Sequence, residues 1–85
     1  MKVKIFTKDE CPNCPQAKDI GEKLETEGHN IEYYNISTID GLTESSFYRI
    51  MSTPSILITE DDNKERNAWR STLPSITEIR KVLAK

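Results

Sequence analysis

Apolar and polar positions follow two different periods along this chain. Lys2-Val3-Lys4-Ile5-Phe6-Thr7 alternates at period two and is rich in strand formers, which predicts a first strand over residues 2–7. Over residues 12–27 the period lengthens. Ala17, Ile20 and Leu24 recur at steps of three and four, Pro12 suits a first helical position, and Gly28 supplies a stop. Residues 31–36 predict a second strand, and a strand, helix and strand of these lengths imply a right-handed crossover between parallel neighbours. After a loop from Ser37 to Asp40, a second helix is expected near residues 41–50, with Phe47, Ile50 and Met51 facing inward. Thr43, Ser45 and Ser46 weaken that helix, because short hydroxyl side chains compete for backbone hydrogen bonds.

Thr53-Pro54 then interrupts the chain. Ser55 to Thr59 reads as a buried third strand, residues 60–64 as a polar turn, and residues 65–70 as a fourth strand closing a hairpin. Ser75 with Glu78 forms a capping box for a last helix whose Ile76, Ile79, Val82 and Leu83 face inward. No repeat, linker or low-complexity segment interrupts the pattern. The expected product is an α/β fold of order βαβαββα, a single domain over residues 1–85 with a four-stranded mixed sheet and three helices.

Composition narrows the picture in three respects. A chain of 85 residues buries roughly 60–65% of its unfolded surface, enough for one sheet and its helical layers. With 35% hydrophobic and 31% charged residues it has the balance of a soluble globule. A net charge of −2 and the absence of a basic stripe argue against a nucleic-acid partner. The first residues enter a strand directly, without a signal-like or membrane-spanning apolar run, so a cytoplasmic location and no membrane association are expected.

The chemistry lies in Cys11-Pro12-Asn13-Cys14, which holds both cysteines of the chain. A dithiol opening a helix behind a strand makes one thiol a good nucleophile and the other its resolving partner. In a reducing compartment a redox or metal role is favoured over a structural disulfide. Helical spacing puts the two Cα atoms roughly 5 Å apart, within bridging range. Cys11, at the helix start, is the thiolate favoured by unpaired N–H groups and the helix dipole, and Cys14 should be more buried. Lys8 and Lys18 favour that thiolate, whereas Asp9 and Glu10 oppose it. The plainer alternatives for a lone CxxC are two small core residues or half of a metal site. Zinc needs four ligands, and one chain offers two cysteines and His29, so a zinc or iron–sulfur module requires a dimer.

Lys8-x-x-Cys11-Pro12-x-Cys14, followed by Ser52-Thr53-Pro54-Ser55-Ile56, resembles the thioredoxin superfamily and its glutaredoxin-like branch across essentially the whole chain. The resemblance implies a thioredoxin-like, glutaredoxin-type fold and a protein disulfide reductase with Cys11 as nucleophile and Cys14 as resolver. It implies a cis Pro54, with Pro12, Asn13, Ser52, Thr53 and Pro54 shaping the partner groove. No metal and no bound cofactor are expected, because the cysteines carry the electrons. Departures matter as well. Asn13 stands where glutathione-binding glutaredoxins carry Tyr, Arg70-Ser71-Thr72 replaces their glycine pair, and Glu10 and Ile5 replace thioredoxin's Trp and buried acid.

Ala68-Trp69-Arg70-Ser71 with Pro74 is similar to the small redoxins that reduce ribonucleotide reductase. Those usually take electrons from thioredoxin reductase and NADPH rather than glutathione. The stretch from Gly41-Leu42 to Phe47-Tyr48 is similar to redoxins accompanying the anaerobic reductase. A monomer acting on protein disulfides is the expected form. A glutathione-dependent glutaredoxin, a dimeric zinc or iron–sulfur module and an inert binding domain are the rivals. Trp69 also reads as an indole packed under the last helix, and Tyr33 and Tyr34 as strand neighbours on opposite faces.

Overall fold

In a computed structural model, which describes residues 1–84, seven elements run in the expected order. They are β1 (Lys2–Thr7), α1 (Cys14–Thr26), β2 (Asn30–Asn35), α2 (Ile39–Phe47), β3 (Ser55–Thr59), β4 (Glu65–Trp69) and α3 (Ile76–Leu83). The sheet order is β2-β1-β3-β4. β1 and β2 are parallel with Val3 opposite Ile31, β1 and β3 antiparallel with Phe6 opposite Ser55, and β3 and β4 antiparallel with Ile56 opposite Trp69.

Strand alternation divides the core between the two faces of the sheet. Val3, Ile5, Ile56 and Ile58 meet Ala17 and Leu24 of α1 and Ile79 of α3, with Trp69 packed against the same cluster. Phe6 and Leu57 point the other way, toward Tyr48 and Ile50, and Tyr34 stacks on Phe6 with ring centroids 5.4 Å apart. Complete burial of such side chains contributes about 1.5–3 kcal/mol each. Tyr33 turns to the α1 side, where its hydroxyl donates to Glu25 at 2.6 Å, and it is the exposed member of the pair while Tyr34 is half-buried.

Two expectations change. The first helix starts at Cys14 rather than Pro12. Cys11 to Asn13 form a turn closed by the Cys14 N–H donating to the Cys11 carbonyl at 3.3 Å, Asn13 is the N-cap, and Pro15 takes the proline-tolerant first turn. The second helix is shorter and two of its three expected inward residues are not inside. Ile50, just past the helix, is buried as expected, but Phe47 and Met51 are exposed, and the buried positions of α2 are Gly41 and Ser45, followed by Tyr48. The cause is close approach. A side chain at Gly41 would overlap the Asn35 carbonyl, so small residues rather than large ones face the sheet. α2 is also held through Lys4, a buried β1 lysine paired with Glu44 and 3.8 Å from Glu32.

This topology positions the candidate chemistry. β1 ends and β3 begins at the same edge of the sheet, because Phe6 is paired with Ser55. The loop after β1, which carries Cys11, therefore meets the loop before β3, which carries Pro54.

Candidate active site

Cys11 and Cys14 form a disulfide with Cα atoms 5.3 Å apart, close to the separation inferred from helical spacing. Their surroundings differ as expected. Cys14, inside the first turn of α1, is only 4% exposed, while Cys11 lies outside the helix and is half-buried. A reagent or partner therefore reaches Cys11 first. The first turn of α1 contains no acidic residue, so the positive end of its dipole is left for an anion at the turn before it.

The sulfur of Cys11 has a specific neighbour. The Thr53 hydroxyl donates to it across 3.6 Å, bringing together two segments 42 residues apart. Hydrogen bonding to a charged group favours its charged form, so this hydroxyl stabilises a thiolate once the disulfide opens. The Thr53–Pro54 peptide is cis, as the resemblance implied, and Pro54 is buried while Ser52 and Thr53 are half-exposed beside the dithiol. Pro12 and Asn13 are exposed at its rim, and the Asn13 side chain makes no cap hydrogen bond.

Beside the dithiol an open cavity of about 500 Å³ is lined by Lys8, Asp9, Glu10 and Lys18 together with the cysteines, Pro12 and Pro15. The charges there are mixed, as anticipated. Asp9 is engaged elsewhere, accepting from the Asn35 amide at 3.0 Å, and its own N–H donates to the Ser37 hydroxyl at 3.3 Å. His29 follows the far end of α1, roughly 20 Å along a 13-residue helix from Cys14, so one chain does not gather the two cysteines and His29 around a metal. Among the described residues no group of three or more His, Cys, Asp or Glu side chains is arranged for a metal ion.

Sequence reasoning missed one set of contacts. The Ser55 hydroxyl donates to the Ser52 carbonyl at 2.8 Å and accepts from the Ser71 N–H at 3.1 Å, and the hydroxyls of Ser52 and Ser71 meet. A serine just after Thr53-Pro54 was the available signal, but its partner at residue 71 is 16 positions away and visible only in the fold.

Comparison with known proteins agrees with this geometry. A family model described as a thioredoxin domain matches residues 1–84. A thioredoxin of Methanocaldococcus jannaschii is 33% identical over 64 residues, 72% of this chain and 73% of that protein. Thioredoxin 1 of Thermosipho africanus superposes with a TM-score of 0.71 at 19% identity, covering 99% of this chain and 91% of that one. Reduced Schistosoma mansoni thioredoxin pre-protein gives 0.78 at 12% identity, covering 98% and 75%. At such identities the solved structures speak for the fold, and the matched family model and the archaeal relative extend the likeness to sequence. The chain belongs to the thioredoxin family of thiol–disulfide oxidoreductases.

Proposed function

We propose that this protein is a reductant of protein disulfides in which Cys11 attacks and Cys14 resolves. The observation that carries this reading is the asymmetry of the pair: a reachable Cys11 sulfur under the Thr53 hydroxyl, and a buried Cys14 within bonding distance.

In the reduced protein the Cys11 thiolate attacks one sulfur of a client disulfide. A mixed disulfide forms and the client's other sulfur leaves as a thiolate. The Cys14 thiol then loses its proton and attacks the Cys11 sulfur. The Cys11–Cys14 bond closes, and the client's second sulfur departs. The client gains two electrons and, once its thiolates are protonated, two protons. The oxidised pair returns to the dithiol by the same exchange in reverse with an external donor. The cysteines hold the electrons throughout, so no bound organic cofactor is needed.

Asn13 and Arg70-Ser71-Thr72 favour a thioredoxin-reductase-type donor using NADPH over glutathione. The Ser71 N–H, already bonded to Ser55, is committed inward rather than presented to a carboxylate. Pro12, Asn13, Ser52, Thr53 and Pro54 line the client groove. A ribonucleotide reductase with an exchangeable disulfide is the client class suggested by the Ala68-Trp69-Arg70-Ser71 stretch, and the cytoplasm is the compartment. The working unit is the monomer.

Two assays test this reading. The reduced protein should cleave insulin disulfides catalytically with NADPH and thioredoxin reductase, and more slowly when glutathione and glutathione reductase replace them. The Cys14→Ser protein should trap clients from lysate as dithiothreitol-sensitive mixed disulfides on Cys11. Absence of insulin reduction with either donor, together with no trapped client, overturns the proposal.

A further inference from the structure

We propose that Ser55 is a positioning residue for the dithiol: its hydroxyl fastens the Ser52–Pro54 segment to the exit of β4 and so holds the Thr53 hydroxyl on the Cys11 sulfur. The inference rests on the reading of Cys11 as the attacking thiol, and it adds how that sulfur's neighbour is kept in place.

Ser55 is fully buried at the first position of β3, where side-chain hydroxyls are usually expensive to enclose. It is matched on both counts. Its hydroxyl donates to the Ser52 carbonyl at 2.8 Å and accepts from the Ser71 N–H at 3.1 Å. Neither partner is in a regular ladder. Ser52 precedes the strand, and Ser71 lies two residues beyond β4 with φ +63°, in the left-handed region that side-chain-bearing residues seldom occupy. That conformation is associated with an amide turned inward to Ser55, and a second contact, hydroxyl to hydroxyl, joins Ser52 and Ser71 at the surface.

The consequence falls on Thr53. It sits between Ser52, fixed by these bonds, and the buried Pro54, so its backbone is anchored on both sides. Its hydroxyl then has one sulfur within reach, that of Cys11 at 3.6 Å. A backbone displaced by 1 Å breaks a contact already at the long end of hydrogen bonding to sulfur. Ser55 touches neither sulfur nor client, and acts only through Thr53.

Thr and Val at position 55 have nearly the same shape but differ in the hydroxyl, so the pair separates bonding from volume. In the Cys14→Ser background, the pH midpoint for alkylation of Cys11 by iodoacetamide should rise by about half a pH unit in Ser55→Val and stay near the parent value in Ser55→Thr. Reduction of insulin at pH 7 by the dithiol form of Ser55→Val should fall by up to about twofold, because the higher nucleophilicity of a more basic sulfur offsets part of the lost thiolate fraction. Adding Ser55→Val to Thr53→Val should move the midpoint no further, because the hydroxyl being positioned is already gone. Equal midpoints in the Val and Thr proteins, or additive shifts in the double variant, overturn the proposal. Ser55→Ala covers the case in which the larger Val side chain does not fit the buried position. It removes both hydrogen bonds without adding volume and should raise the midpoint by a similar amount, and an unchanged midpoint there overturns the proposal. If the parent protein itself shows no reactive Cys11, the underlying functional reading fails instead.

Discussion

Thr53 shows how one hydroxyl separates two chemically identical thiols. Cys11 has it as a hydrogen-bond donor at 3.6 Å and is reachable, whereas Cys14 is shut inside the first turn of α1. Thr53→Val keeps the shape and removes the donor. A hydrogen bond to a charged group is worth about 1.5–3 kcal/mol, and the long distance to sulfur places this one near 1 kcal/mol. The alkylation midpoint of Cys11 should therefore rise by roughly 0.5–1 pH unit, and the reaction with a small disulfide at pH 7 should slow severalfold. An unchanged midpoint would show that this hydroxyl does not tune the sulfur. The cysteines are legible from the sequence because a short motif carries them, whereas the proximity of Thr53-Pro54 is implied only by the resemblance to the thioredoxin superfamily. The serine net is not legible, since its members are ordinary residues that become partners only through the pairing of β3 with β4.

At the scale of elements, α2 departs furthest from its sequence pattern. A hydrophobic periodicity places Phe47 and Met51 inside, yet at Gly41 the backbone passes so near the Asn35 carbonyl that no side chain fits, and the buried positions of the helix are Gly41 and Ser45. Gly41→Ala should therefore destabilise the fold by about 2–3 kcal/mol, as overpacking against fixed backbone does. Phe47→Ser, at a position 74% exposed, should change stability by less than about 0.5 kcal/mol. Urea denaturation of the two variants distinguishes the observed helix from one with Phe47 inward, which would reverse their order. The strands and α3 are legible in the sequence because the alternation of β1, the continuous apolar run of β3 and the Ser75 cap that accepts the Glu78 N–H at 3.2 Å are local signals. α1 was misplaced at its start because two prolines each suit a first turn, and the turn closing on Cys11 left that place to Pro15.

Across the whole molecule the charged contacts tie helices to the sheet and to each other, and they set how stability depends on pH. Burial pulls the Lys4 ammonium down, but the hydrogen bond it donates to Glu44 and the surrounding carboxylates outweigh it and hold its pKa above the ordinary value of 10.5. A raised lysine stabilises fully below its unfolded value and loses that contribution as pH rises through its folded one. Stability should therefore fall in the alkaline range above about pH 10.5, and Lys4→Met should lack the lysine part of that fall. The variant should also lose about 1–2 kcal/mol at pH 7, less than the 3–5 kcal/mol for a fully enclosed pair because Glu32 and Glu44 reach water. Thermal melts of both proteins between pH 7 and 11 check this, and parallel curves would contradict it. The Arg80 hydrogen bond lowers Glu27, linking α3 to the end of α1, and that contribution is lost as pH falls through Glu27's depressed value. It is solvent-exposed and small.

The central claim is that the two cysteines are chemically unequal, with the outer one activated. Its most direct test is the second-order rate of iodoacetamide alkylation at pH 7, measured separately on reduced Cys14→Ser and Cys11→Ser proteins. The account predicts that Cys11 in the first reacts at least tenfold faster than Cys14 in the second, and faster than an unperturbed thiol of pKa about 8.5. Equal rates, or a Cys11 no more reactive than that ordinary thiol, would contradict it.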